Sequence, residues 1–217
     1  MKNLIDKKIL YIICGGISAY KSLETIRLFK KNGAQIKSIL TNSAKEFITP
    51  LSVASLSQGK VYSDLFSVEN ETEMDHIALS RWADVILIAP ATANTISKLA
   101  QGTTDDLAST VVLASNKEIY LAPAMNVRMW EHQSTKQNLK KLKSFGYKII
   151  GPEIGEMACG EYSFIRRLSL RLWDGRCAVI CIHLLVIFQV FCLNVGSSFP
   201  GRLTFDVHGW SSACTGG

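Results

Sequence analysis

The chain has 217 residues and a net charge of +6, from 24 basic and 18 acidic side chains, enough length for one α/β domain with a sizeable core. The positive charge is spread out and no basic stripe with interleaved aromatics occurs, which argues against nucleic acid as a partner. None of the six cysteines forms a CxxC pair, so no metal site is expected. The opening MKNLIDKKILYIICGG reads as a first strand rather than a signal peptide, because its short apolar run breaks at Gly15 without a cleavage-type segment. That favours the cytoplasm, where cysteines stay reduced.

In chain order, residues 9–13 are a continuous apolar run, as expected of a strand buried on both faces. Residues 18–32 read as a helix with Tyr20, Leu23, Ile26 and Phe29 inward and Gly33 as its stop. A strand over 35–40 leads to the turn Thr41-Asn42-Ser43 and short helical stretches through Gln58. Residues 60–74 are irregular and polar. A short helix over 76–83, a strand over 85–89, helices over 92–100 and 105–115, and a strand over 119–122 follow. A long helix over 128–145 and a strand over 147–150 complete the pattern. Such alternation predicts an α/β, flavodoxin/Rossmann-like three-layer sandwich with a five- to six-stranded parallel sheet.

In that architecture the loops at the strand C-termini converge, and they hold most of the unusual polar chemistry. Gly15-Gly16-Ile17-Ser18 is either a phosphate-binding turn at a helix N-terminus or a plain tight turn; it is not GxGxxG. Thr41 and Ser43 either donate to the same phosphate or cap a helix. Ala91, Thr92 and Asn94 offer small side chains for a flat ring and polar groups for its edge, or a proline turn and a cap. Pro123-Ala124-Met125-Asn126, before Met129-Trp130, presents an amide at a strand end. His76 is a proton carrier or a capping residue, and Arg81 an anion ligand or a solvated side chain. Cys159, after Ala158 and between Gly155 and Gly160, reads as a reactive group on a mobile flap, against a buried inert thiol.

GGISAYK, TNSA, the segment from His76 through Arg81-Trp82-Ala83-Asp84, APATANTISKLAQGTTDDL, PAMNVRMW and ACGE together resemble the homo-oligomeric flavin-containing cysteine decarboxylases, over about residues 6 to 162. The resemblance implies FMN, held by Gly15, Gly16, Ile17, Ser18 and Thr41 at its phosphate and by Ala91, Thr92 and Asn94 near its ring. It implies oxidative decarboxylation of 4'-phospho-N-pantothenoylcysteine to an ene-thiol, which is then protonated and reduced to 4'-phosphopantetheine. His76 would be the base, Asn126 would hold the substrate's carboxylate and amide, and Cys159 would be the acid. Arg81, Met129 and Ala158 would line the substrate, in a site shared between subunits of a homotrimer or a higher oligomer of trimers. An inactive flavin-binding fragment, or a related flavoprotein with another substrate, is the alternative.

The body, 1–162, holds 16 Lys and 3 Arg, whereas the tail, 163–217, holds no Lys and 5 Arg with four of the six cysteines. After ACGE the family's glycine-rich continuation is replaced by YSFIRRLSLRLWDGRC. The tail therefore reads as a frameshifted or otherwise unrelated sequence. Its apolar run from Cys177 to Leu193 is at the short limit for a membrane span, and a non-native hydrophobic stretch is favoured over an anchor.

Overall fold

A computed structural model describes residues 4–64 and 75–151, with the short strand pair 155–156 and 162–163. The chain divides into two units, Met1–Leu170 and Arg171–Gly217, and every described residue belongs to the first.

The apolar runs become strands β1 (Lys8–Ile13), β2 (Gln35–Leu40), β4 (Val85–Ala91) and β5 (Glu118–Pro123). Edge strands β3 (Val61–Tyr62) and β6 (Lys148–Ile149) complete an all-parallel sheet of six, ordered β3-β2-β1-β4-β5-β6. Because side chains alternate across a strand, each continuous run feeds two cores. Leu10, Ile12, Ile86, Ile88, Ile119 and Leu121 face one side; Ile9, Tyr11, Ile13, Leu87, Tyr120 and Ala122 face the other.

Helices α3 (Asp75–Trp82), α4 (Ala93–Gln101), α5 (Leu107–Leu113) and α7 (Gln133–Ser144) cover the first face through Leu79, Ile96, Leu99, Val111, Leu139 and Leu142. Helices α1 (Lys21–Lys31) and α2 (Pro50–Ser57) cover the second through Ile26 and Val53. Phe29 meets Tyr11 edge-to-face, with ring centroids 6.4 Å apart. Each fully buried Ile or Leu contributes about 1.5–3 kcal/mol. The result is the three-layer sandwich that the alternation implies.

Three local expectations change. Tyr20 does not point inward but is 56% exposed, because Ile17–Tyr20 is a 3-10 turn that precedes α1 and shifts the helical phase. The long helix is two: α6 (Val127–Glu131) stops at His132, which turns extended (φ −60, ψ 136) and caps α7 by accepting from the Ser134 amide, 3.3 Å. Residues read as irregular supply β3, whose two-residue pairing with β2 is too short to leave a periodic pattern. Gly33, at φ +86, ends α1 as expected.

Candidate active site

The strand order reverses at β1, which lies between β2 and β4. The chain leaves β1 toward β2 along the α1 face and leaves β4 toward β5 along the α4–α5 face. A crevice therefore opens at the C-terminal ends of β1 and β4, where open α/β sheets bind ligands.

On one side of it, backbone dominates. A Cβ on Gly15 would lie 2.6 Å from the carbonyl carbon of Ser43, so only glycine lets these two loops touch. Gly16 is extended and surrounded by open space. The Ala19 amide donates to the Gly16 carbonyl at 2.9 Å, starting the 3-10 turn. The amides of Ile17 and Ser18, at the start of that turn, have no intrahelical acceptor and suit an anion. Thr41 precedes the 3-10 turn Asn42–Glu46 without capping it. Its hydroxyl instead lies 3.5 Å from the Ile13 carbonyl, toward the Gly15 loop.

On the other side, capping side chains dominate. Thr92 is the N-cap of α4, accepting from the Thr95 amide at 3.3 Å, and Asn94 is exposed in the first turn. Ala91 is buried, and its carbonyl accepts from the Ala124 amide at 2.9 Å, which ties the two loops together. Asn126 is the N-cap of α6: its Oδ1 accepts from the Met129 amide at 2.8 Å. That leaves the exposed Asn126 with a donor end, Nδ2, without a hydrogen bond among the described residues. Met129 is itself exposed.

Between the two sides lies a small open pocket lined by Ser18, Lys21, Pro90, Pro123 and Ala124, with Tyr11 among its walls. The Tyr11 hydroxyl is buried without a hydrogen-bond partner among the described residues. The nearby Ser22 and Thr25 hydroxyls give their protons to the carbonyls of Ala89 and Lys21, at 3.0 and 3.1 Å. Burial pushes the phenol up to about 12, so it stays neutral. Sequence reasoning did not name Tyr11 or Lys21 for this pocket; a hydroxyl inside an otherwise apolar strand was the available signal.

The other expected residues lie apart from these. His76 is half-buried in the first turn of α3. Arg81 is exposed near the end of α3, where Lys37 stacks on Trp82 at 4.9 Å and Asp84 accepts from the Lys8 amide at 3.0 Å. Arg81 is thus near the N-terminal edge of the sheet, roughly 17 Å of strand below the crevice. Gly155–Glu156 pairs antiparallel with Tyr162–Ser163, and the segment carrying Ala158 and Cys159 connects those strands. Ala158 and Cys159 themselves lie outside the described residues.

Comparison with known proteins adds names to this geometry. The family described as Flavoprotein matches residues 2–168. The coenzyme A biosynthesis bifunctional protein CoaBC of Haemophilus influenzae is 46% identical over 159 residues, 73% of this chain and 40% of that protein. Its counterpart in Bacillus subtilis is 41% identical over 157 residues, 72% of this chain and 39% of that protein. The match therefore spans about two-fifths of the length of these relatives. Among solved structures, a PPC decarboxylase mutant complexed with pantothenoylaminoethenethiol has a TM-score of 0.69 at 26% identity, covering 85% of this chain and 99% of that one. The FMN-dependent cysteine decarboxylase SpaF has a TM-score of 0.66 at 29% identity, covering 74% and 91%. With a family match over most of its length and relatives above 40% identity, the chain belongs to the Flavoprotein family.

Proposed function

We propose that this chain binds FMN in the crevice and decarboxylates 4'-phospho-N-pantothenoylcysteine to 4'-phosphopantetheine, a step of coenzyme A biosynthesis. The observation that carries the reading is the pairing, at one sheet edge, of a glycine-only backbone cradle with an asparagine whose amide nitrogen is free to donate. Relatives named for coenzyme A biosynthesis and a PPC decarboxylase of like fold support the substrate.

The residues present fit FMN. Gly15 has no room for a side chain and Gly16 is open, so a phosphate can approach the amides of Ile17 and Ser18, with Thr41 beside them. Ala91, Thr92 and Asn94 leave space and hydrogen-bonding groups for the ring. FMN supplies a two-electron acceptor and donor next to the substrate's cysteine.

Asn126 donates from Nδ2 to the substrate's carboxylate. A neutral donor orients that group without holding its charge as an arginine would, so departure as neutral carbon dioxide is not opposed. His76 is the base, and Cys159 is the acid that protonates the ene-thiol. Met129 and Ala158 line the substrate; the reading gives Arg81 no role. The exposed Ile17, Tyr20, Phe47 and Leu51 cluster by sequence around the loops after β1 and β2, which suits a homotrimer that completes the site between subunits. Among the described residues no helix is long and apolar enough to cross a membrane, and we assign the protein to the cytoplasm. We also assign 1–162 to the FMN-binding domain and 163–217 to a separate, non-native tail; an uninterrupted gene with peptides from 170–217 in cell extract would overturn that assignment.

The test is purification of the protein followed by flavin quantitation and carbon dioxide release. Bound FMN with release from the phosphorylated substrate is expected. Bound FMN without release would leave only a flavin-binding protein, and absence of FMN would overturn the whole reading.

A further inference from the structure

Cys14 is the last residue before Gly15, fully buried at the end of β1. Its amide donates to the Pro90 carbonyl at 3.3 Å, so it is fastened to β4 beside the crevice. Its sulfur accepts the Thr95 hydroxyl at 3.2 Å. The Thr95 and Thr92 hydroxyl oxygens are 3.1 Å apart, and either can donate to the other. Thr92 Oγ1 also accepts the Thr95 amide as the cap of α4.

A hydroxyl has one proton. With Thr95 giving its proton to Cys14, the bond between the threonines must use the proton of Thr92. Thr92 then has a lone pair to offer and no free proton. Without the sulfur, Thr95 turns its proton to Thr92, and Thr92 is left with a proton to donate. We propose that Cys14 is a positioning residue which, through Thr95, fixes Thr92 as a hydrogen-bond acceptor toward the bound ligand. This rests on the FMN reading. It adds that Thr92 meets an N–H on the ligand's polar edge, rather than a ring carbonyl or a bare ring nitrogen. Burial pushes the Cys14 thiol up to about 11, against the pull of the Thr95 hydroxyl and the Thr92 backbone. The acceptor is therefore a neutral sulfur at physiological pH.

The relay also joins the two sides of the crevice. Cys14 adjoins the backbone cradle, and Thr92 caps the helix on the other side.

The test is FMN affinity and the absorption bands of the bound flavin in Cys14→Ala, Thr95→Val and Cys14→Ser, with circular dichroism to check folding. Cys14→Ala and Thr95→Val both leave Thr92 as a donor, so both should weaken FMN binding about fivefold to tenfold and shift the bands alike. Combining them should add little beyond either one. Cys14→Ser restores an acceptor and should stay within about twofold of wild type with its bands unmoved. Folded Cys14→Ala with wild-type affinity and bands, or Cys14→Ser behaving as Cys14→Ala, would overturn the relay while leaving the FMN reading intact. Wild-type protein without FMN would overturn that reading and this one together.

Discussion

The two edges of one sheet are built by opposite rules. At the N-terminal edge the polar groups satisfy one another. Lys148 bonds Glu118 at 2.7 Å and the Tyr120 hydroxyl at 3.2 Å, Lys37 stacks on Trp82, and Asp84 takes the Lys8 amide. At the C-terminal edge the side chains are small or serve as helix caps, as Asn126 and Thr92 do, and the amides after Gly16 lack an intrahelical acceptor. The difference teaches where a ligand is needed to complete the hydrogen-bonding pattern. Substitutions at the two edges should therefore separate function from stability.

The largest effect is expected at His76. His76→Asn should lower turnover by roughly 10²–10⁴-fold while FMN content stays unchanged, measured as carbon dioxide release per bound flavin. Normal turnover would remove His76 from the mechanism. Next is Gly15→Ala, whose new methyl would overlap the Ser43 backbone. A cost of about 1–3 kcal/mol is expected, concentrated in the loops, with FMN binding weakened at least tenfold by titration. Gly16→Ala is the internal control: its Cβ meets nothing within 4 Å, and its φ of −179 suits any residue, so stability should hold.

Between the edges stands Asp106, the cap of α5. It accepts from the Ser109 amide and hydroxyl at 2.7 Å each and from Lys98 at 2.9 Å. Burial raises its carboxyl, but the Ser109 bonds and the Lys98 ammonium outweigh this and hold it below the usual value. A depressed carboxyl contributes stability that is present above the unfolded value near 3.8 and lost as pH falls through the folded one. Asp106→Ala should cost about 0.5–2 kcal/mol at neutral pH in a denaturant melt, and the gap should close below that acid window. The smallest effect is expected at the opposite edge. Glu118→Gln should cost up to about 1 kcal/mol and leave FMN binding and turnover untouched. A flavin defect there would contradict the division between the edges.

Much of this contrast was legible in the sequence. Continuous apolar runs at Ile9–Ile13 and Val85–Ala89 mark buried parallel strands, because no polar face has to alternate with the core. The loop chemistry followed from where parallel strands must end. Other features were not legible for physical reasons. A break at His132 turns on one ψ angle and one imidazole bond, which helical periodicity does not carry. The position of Arg81 depends on the direction of a short helix, not on its spacing from His76. Tyr11 and Cys14 sit inside apolar runs, where their polar atoms matter only once α1 and α4 pack against them. The segment with Cys159 is read from sequence, and the two strands of one antiparallel pair lie on either side of it in the chain.

Cys159→Ser sharpens the chemistry itself. It should release carbon dioxide but stop at an oxidised thiol product, because protonation of the ene-thiol fails. The most direct single measurement is the mass of the product that purified wild-type protein makes from 4'-phospho-N-pantothenoylcysteine. A product lighter by one carbon dioxide with no change in oxidation state, 4'-phosphopantetheine, is what the two-sided crevice predicts. Recovery of unchanged substrate by an FMN-loaded, folded protein would contradict it.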